Sequence, residues 1–330
     1  MIEKFIFIFY FNVNLTLISD FILKYIFKIT FLFFKMTMFK LNDIFTDENK
    51  AILFIEQNGL LFNGGQCEKC DGLYQFYLQN TTYTGVILEC TKCHDRKSMF
   101  HNSFFTRSQI PVKKVLRIIY CWSQKFSRNQ TAHECDVSKK TVTNYFQALR
   151  QTCLDWANTD GQKMIGGPGL TVEIDESLMT TRKNNAGRVP VQNWIFGGIC
   201  RETRERFVVS VPDRTSQTLI PLIQSNIAPQ STINSDSWRA YRRISGLPQQ
   251  YSHNTVNHHK NFVNPTNGTH TQTVERMWRE VKRVKRRYEG ISSNDMNDHI
   301  GEYLWREKFK VTEENAFEMT IKLISESFYF

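Results

Sequence analysis

The chain has 330 residues, of which 42 are Lys or Arg and 32 are Asp or Glu, so its formal net charge is +10. With 41% apolar and 22% charged residues, this composition excludes a disordered chain, a collagen-like repeat and a small disulfide scaffold, and the length suits two or more domains. Basic residues concentrate in residues 101–160, 161–260 and 276–287, and the last stretch holds seven bases and one acid. Clustered base fits a polyanionic partner such as nucleic acid, and a solvated surface is the alternative.

The first segment, residues 1–45, is rich in Phe, Ile and Leu. Its longest uncharged stretch runs from Phe5 to Ser19, which is shorter than the ~20 residues that a membrane-spanning helix needs. It also lacks the small-residue cleavage site of a signal peptide. We therefore expect an apolar N-terminal extension outside the fold, with Met36 or Met38 as an internal start. A membrane anchor is the disfavoured alternative.

A cysteine module follows in residues 50–105. Cys67 and Cys70 form one Cys-x-x-Cys pair, Cys90 and Cys93 form a second, and 19 residues separate the pairs. Each pair directs two thiolates at one point, and Zn²⁺ takes four tetrahedral ligands, so the spacing predicts a structural zinc site. The β-branched and aromatic residues between the pairs predict two short strands, as in a zinc ribbon. A pair of disulfides in a secreted chain is the alternative.

Residues 106–160 predict a helix-turn-helix. One helix begins at Pro111 and runs to about residue 126, and a second begins after Ser138, a good N-cap. The N-terminal end of the second helix in such a motif meets base edges in the major groove. Four residues there are candidates for DNA binding: Lys139, Lys140, Thr143 and Asn144. An ordinary helical hairpin is the alternative.

The pattern changes at Gly169 to alternating strands and helices. Apolar runs predict three successive strands, at 170–174, 194–200 and 206–211, and a fourth at 232–235. With the helices and the further strand predicted from residue 216 to residue 288, the order is βββ-α-β-α-β-α. This is the element order of a ribonuclease-H-like mixed α/β fold.

Carboxylates occur where this order brings elements together. Asp175 ends the first predicted strand and Asp236 ends the fourth, and these two strands are neighbours in such a sheet. Glu275 begins the last helix. Three converging carboxylates can hold two Mg²⁺ or Mn²⁺ ions ~4 Å apart, because hard divalent cations prefer oxygen ligands. For each acid taken alone, the alternative is a capping residue or a solvated surface group.

The helix that begins at Glu275 also carries the densest basic stretch. Three bases lie in line with this acid, Arg279, Lys282 and Arg286, and predict contacts with DNA phosphates. His259 and His270 precede the helix and are candidate accessory residues at the scissile phosphate. A loop histidine that only makes surface hydrogen bonds is the alternative.

The order and spacing of five short stretches resemble the Merlin-type cut-and-paste DNA transposases and their bacterial insertion-sequence relatives. The matching stretches are Val172–Ser177, Trp194–Gly198, Asn234–Trp238 with Tyr241, Val256–His259 with Phe262 and Val263, and His270–Glu275 with Trp278. The resemblance implies that Asp175, Asp236 and Glu275 are the catalytic acids. It also implies strand cleavage at terminal inverted repeats and strand transfer into target DNA, with Mg²⁺ or Mn²⁺.

These patterns predict a metal-dependent DDE transposase with five segments: the extension 1–45, the zinc-ribbon-like module 50–105, the helix-turn-helix region 106–160, the catalytic domain 165–310 and a C-terminal helical tail 311–330. Its expected partners are transposon ends, target DNA and further copies of the chain in a synaptic dimer or higher oligomer. A eukaryotic source implies a nuclear location, and any other source a cytoplasmic one. A domesticated DNA-binding regulator and a metal-dependent nuclease are the alternatives.

Overall fold

The computed structural model describes residues 41–61, 65–78, 86–106, 108–159, 161, 163–179, 193–257, 263–265, 268–287 and 295–328. The predicted N-terminal extension therefore lies outside the described residues, apart from residues 41–45. Within the described ranges, no helix combines the length and the apolar character that crossing a bilayer requires.

The cysteine module contains a small antiparallel sheet. Strands β1 (Tyr74–Leu78), β2 (Val86–Cys90) and β3 (Arg96–Ser98) are ordered β1-β2-β3, and Tyr74 is paired with Cys90. The two strands predicted between the cysteine pairs are therefore present. Strand β2 ends at the third cysteine, so the sheet carries part of the candidate metal site.

The predicted DNA-binding region contains three helices, α3 (Val112–Ser123), α4 (Arg128–Cys135) and α5 (Lys139–Thr159). Two helices precede it in the chain, α1 (Asn42–Thr46) and α2 (Glu48–Gln57). Ser127 caps α4 by accepting from the Gln130 N–H, and the Ser138 hydroxyl accepts from Thr141 N–H at the start of α5. Helices α1 and α2 pack against α3, and the Glu48 carboxylate accepts from the Val112 and Lys113 N–H groups. Residues 42–57 therefore pack with these helices.

The larger sheet has five strands: β4 (Thr171–Leu178), β5 (Trp194–Cys200), β6 (Arg206–Val211), β7 (Thr232–Asp236) and β8 (Ser252–Val256). Their order is β6-β5-β4-β7-β8. The first three strands are antiparallel, whereas β7 runs parallel to both β4 and β8. The sheet is therefore mixed, with β4 and β7 side by side at its centre, as predicted.

Helices cover both faces of this sheet. Helix α6 (Ser216–Asn226) and a 3₁₀ helix (Arg239–Gly246) lie on one face, and α7 (Gln272–Arg287) and α8 (Met296–Lys308) lie on the other. Side chains alternate across a strand, so Val172 and Ile174 join the first core while Ile195 and Ile199 join the second. A last helix, α9 (Ala316–Ser327), packs against α3 and α5.

The structure corrects the predicted end of the first strand of this sheet. Strand β4 continues to Leu178, so Asp175 lies within the strand and pairs with Gly197 of β5. The strand persists because β5 supplies a ladder of backbone hydrogen bonds along its whole length, whereas the pairing with β7 stops at Glu173. Asp175 lies two residues beyond the last β4–β7 pair, Glu173 with Asn234.

Helix α8 connects the sheet to the helices that precede it. It packs along α5, which extends to Thr159. The buried Arg306 of α8 forms an ion pair with Glu302 at 2.8 Å and donates to the carbonyl oxygens of Trp122 and Ser123 at the end of α3. These contacts tie the C-terminus of α3 to the layer that covers the sheet.

Candidate metal and DNA-binding sites

The first candidate site centres on Asp175, which lies on the face of β4 that α7 covers. The indole N–H of Trp278 in α7 donates to Asp175 Oδ2 at 2.9 Å. Burial raises the pKa of Asp175 to about 7, and this hydrogen bond acts in the opposite direction. The carboxyl group is therefore held at a pKa near neutrality, where a cation at the site would shift it to the ionised form.

Two other predicted acids contribute to the electrostatic environment of Asp175. The charges of Asp236 and, more weakly, Glu275 also raise its pKa. Asp236 is the last residue of β7, and its Oδ1 accepts from Trp238 N–H at 2.9 Å, which fixes the turn that follows the strand. Asp236 and Glu275 are thus both near enough to Asp175 for their charges to act on it.

Glu275 lies in the first turn of α7 and its side chain is exposed. The helix N-terminus is held by Glu173, which is fully buried on β4 two residues before Asp175. Glu173 Oε2 accepts from the N–H groups of Thr273 and Val274 at 2.8 and 3.0 Å. The sequence pattern does not single out Glu173, because an acid in a short strand is typical of a solvent-facing position.

A glycine makes room for this arrangement. Gly197 pairs with Asp175 across the β4–β5 ladder. A Cβ at Gly197 would lie 2.9 Å from Trp278 Cη2 and 2.6 Å from the Phe207 carbonyl oxygen. The absence of a side chain at Gly197 therefore lets the Trp278 indole lie over β5 and reach Asp175.

Glu176 lies on the opposite face of β4 from Asp175. Burial is the main cause that raises the pKa of Glu176 to about 7, and the charge of Asp175 is the next. The ring of Tyr241 lies in the core on that side. Nearby, the Arg214 guanidinium stacks between Trp194 and Trp238 at 3.9 and 4.8 Å from the ring centroids. Glu176 therefore faces away from the side of β4 on which Asp175 lies.

The three acids fit a hard divalent cation by their chemistry. They offer carboxylate oxygens, and the charges that raise the pKa of Asp175 come from further carboxylates. Within the described ranges, the four clustered cysteines are the only group of at least three candidate ligands whose atoms all lie within 4.8 Å of one another. The ligand atoms of the three acids therefore do not all lie within 4.8 Å of one another in this structure. Mg²⁺ is commonly completed by water and substrate phosphate rather than by protein ligands alone.

The second candidate site contains the four cysteines of the small sheet. Cys67 and Cys93 have their Sγ atoms 3.6 Å apart, and Cys70 and Cys90 have theirs 3.5 Å apart. A Zn²⁺ tetrahedron with ~2.3 Å Zn–S bonds has sulfur–sulfur edges of about 3.8 Å, so the cluster has the dimensions of a four-cysteine zinc site.

Local backbone geometry supports the cysteine cluster. In each pair, the backbone N–H two residues after the first cysteine donates to its sulfur, from Lys69 at 3.5 Å and from Lys92 at 3.4 Å. All eight cysteines are free thiols, so the disulfide alternative has no support in this structure. The four cysteines without ligand spacing are buried: Cys121, Cys135, Cys153 and Cys200.

The predicted DNA-binding residues lie on two helices. At the start of α5, Lys139, Lys140 and Asn144 are exposed, and the Thr143 hydroxyl donates to the Lys139 carbonyl. Three bases of α7 were also predicted to contact DNA. Arg279 is exposed and Lys282 is half-buried, and the side chain of Arg286 lies outside the described part. These roles remain predictions.

Of the two candidate accessory histidines, His259 lies outside the described residues. His270 is half-buried next to α7, with Nδ1 3.5 Å from Glu173 Oε1. Its carbonyl oxygen accepts from Arg201 Nη2 at 2.7 Å. His270 therefore belongs to the surroundings of Glu173, and its accessory role remains a prediction.

Comparison with known proteins supports a transposase domain in the part of the chain that contains the acids. Residues 165–308 match the family profile of the ISXO2-like transposase domain. An uncharacterized transposase-like protein of Haemophilus influenzae is 27% identical over 100 residues, which are 30% of this chain and 78% of that protein. Both findings support an insertion-sequence type of DDE transposase family for this segment, and the Merlin-type assignment remains a prediction.

Two further similarities are more distant. Male abnormal protein mab-31 of Caenorhabditis elegans is 24% identical over 164 residues, which are 45% of this chain and 38% of that protein. A simian T-cell lymphotropic virus intasome, solved in complex with PP2A regulatory subunit B56 gamma, contains a chain with 15% identity and a TM-score of 0.30. That alignment covers 58% of this chain and 67% of the viral chain.

Proposed function

We propose that the chain is a DDE transposase that cleaves DNA strands at terminal inverted repeats and transfers them into target DNA. The observation that supports this proposal is that the charges of Asp236 and Glu275 both act on the buried Asp175, within the segment that matches a transposase domain. The strand order β6-β5-β4-β7-β8, antiparallel then parallel, supports a ribonuclease-H-like assignment for this domain.

In this proposal the three acids hold two Mg²⁺ or Mn²⁺ ions, which supply activation of the attacking oxygen and stabilisation of the leaving oxygen. Trp278 orients the Asp175 carboxylate, and the turn after β7 orients Asp236. The exposed basic face of α7 contacts the DNA backbone beside the acids. Because phosphate contacts fix the register of a duplex without reading sequence, this face would present the scissile phosphate to them.

The remaining modules supply recognition. The start of α5 presents Lys139, Lys140, Thr143 and Asn144 to the major groove of the transposon end, and the zinc-bound cysteine module holds the small sheet together. The catalytic assembly is a dimer or a higher oligomer of the chain, because two transposon ends must be joined to one target.

An in vitro reaction tests this proposal. Duplexes that carry the terminal repeats flanking the coding sequence are incubated with the full chain, a supercoiled plasmid and Mg²⁺ or Mn²⁺. We expect joining of repeat ends to the plasmid, lowered more than about 100-fold by Asp175→Asn, Asp236→Asn or Glu275→Gln. The matched control is Glu202→Gln, since Glu202 accepts from Thr171 N–H at the opposite end of β4.

The outcomes separate the alternatives. Cleavage without joining indicates a nuclease, and binding of the repeats without cleavage indicates a DNA-binding regulator. Joining that persists in EDTA, or that survives Asp175→Asn at the level of the wild type, contradicts the proposed site.

A further inference from the structure

Glu173 is the most deeply buried carboxylate near the candidate catalytic acids, with no exposed surface. A buried charge persists only where partners compensate for its lost hydration. Its two oxygens have separate partners. Oε1 accepts from Arg201 Nε at 2.5 Å, and Oε2 accepts from the Thr273 and Val274 N–H groups.

The second set of partners is the N-terminus of α7. The first N–H groups of a helix have no partner within the helix, and the helix dipole favours a negative charge there. A local Ser, Thr, Asp or Asn side chain commonly caps these groups. Here the cap comes from a strand about 100 residues earlier in the chain, so it fixes one element to another.

Arg201 strengthens this junction. Its Nε pairs with Glu173, and its Nη2 donates to the carbonyl oxygen of His270, just before α7. One guanidinium therefore binds both the buried carboxylate and the chain that leads into the helix. The start of α7 is held by Glu173 directly and by Arg201 through His270.

The junction between Glu173 and α7 lies close to two of the candidate acids, Asp175 and Glu275. Glu173 and Asp175 occupy the same face of β4, two residues apart, and Glu275 directly follows the capped N–H group of Val274. We infer that Glu173 is a positioning residue that fixes α7 to β4 and so sets the separation between Asp175 and Glu275. This inference rests on the proposed function for its effect on catalysis.

The test compares Glu173→Ala, Glu173→Gln and the matched control Glu202→Ala in the full chain. Amide hydrogen exchange reports the α7 N-terminus, and calorimetric titration with Mn²⁺ reports the acids, with Asp175→Asn as the reference for lost binding. In Glu173→Ala we expect exchange of the Thr273 and Val274 amides to accelerate about tenfold or more, and the Mn²⁺ dissociation constant to rise about tenfold. Glu173→Gln retains one acceptor oxygen, so both effects should be smaller.

Wild-type exchange at both amides in Glu173→Ala would overturn the inference. Accelerated exchange with unchanged Mn²⁺ affinity would reduce Glu173 to a helix cap and equally reject the positioning role. If Glu173→Ala does not fold, Glu173→Gln carries the same two readouts and the same criteria. Absence of Mn²⁺ binding by the wild-type chain would count against the proposed function, and amide exchange would still decide whether Glu173 anchors α7.

Discussion

Replacement of Gly197 by alanine should disrupt the carboxylate site without touching any of its acids. The new Cβ would lie 2.9 Å from Trp278 Cη2, whereas carbon atoms in contact are ordinarily ~3.5 Å or more apart. The indole must therefore move by about 0.6 Å. Because Trp278 Nε1 is 2.9 Å from Asp175 Oδ2, such a shift away from the strand would extend this hydrogen bond to about 3.5 Å, where little remains of it.

The same Cβ would lie 2.6 Å from the Phe207 carbonyl oxygen, which belongs to the backbone of β6 and has less freedom to move than a side chain. We expect the free energy of unfolding to fall by about 1–3 kcal/mol, as for other overpacked cores. We also expect strand joining to fall about 10- to 100-fold, the equivalent of one hydrogen bond to a charged group.

The assay combines thermal unfolding with the strand-joining reaction at saturating Mn²⁺. Gly246→Ala is the matched control, since no atom lies within 4 Å of a Cβ at that position. In Trp278→Phe the hydrogen bond is already lost, so adding Gly197→Ala should cost little further activity. Full activity of Gly197→Ala, or additive losses in the double variant, would refute the role given to Trp278.

Three further predictions concern the metals and the DNA. Cys70→Ser should lower the zinc content from about one ion per chain to near zero by elemental analysis, whereas Cys200→Ala should retain the ion. The pKa values of Asp175 and Glu176 are raised to about 7, so their contribution to stability is present below about pH 4 and is lost as the pH rises towards 7. Mn²⁺ requires the ionised carboxylates and should therefore raise the melting temperature more at pH 8 than at pH 5.5, and equal shifts would contradict the assignment. The third change is neutral replacement of Arg279, Lys282 and Arg286 together. It should lower the slope of log affinity against log salt concentration by about 2.7, as measured by fluorescence anisotropy with a DNA duplex.

The strands of the central sheet could be predicted closely because they are short apolar runs between polar turns. The predicted bounds of β5 and β6 coincide with the observed ones, 194–200 and 206–211. Helix α8 was not predicted, because its buried face includes polar side chains: Asp298, His299, Glu302 and Arg306. A hydrophobic stripe identifies a helix only where burial is apolar, and here Glu302 and Arg306 form a buried ion pair while Arg306 also donates to backbone carbonyls.

Asp236 and Glu275 could also be selected from the sequence, since a strand end and a helix start are local features, whereas Asp175 lies within a strand that continues to Leu178. Their supporting residues could not. Asp175 and Trp278 are 103 residues apart, and Glu173 is 100 residues from Thr273. No periodicity connects such positions, and the character of Glu173 as a buried cap depends entirely on its partners.

The three candidate acids are held in place by two separate sets of contacts. Glu173 and Asp175 lie on one face of β4, and both contact the first two turns of α7, through the Val274 N–H and the Trp278 indole. One strand and one helix thus determine the relation of Asp175 to Glu275. Asp236 is positioned instead by the parallel pairing of β7 with β8, where it lies opposite Val256, and by the turn that follows it. A change at the β4–α7 contact should therefore displace Glu275 from the other two acids, and a change in the β7 turn should displace only Asp236.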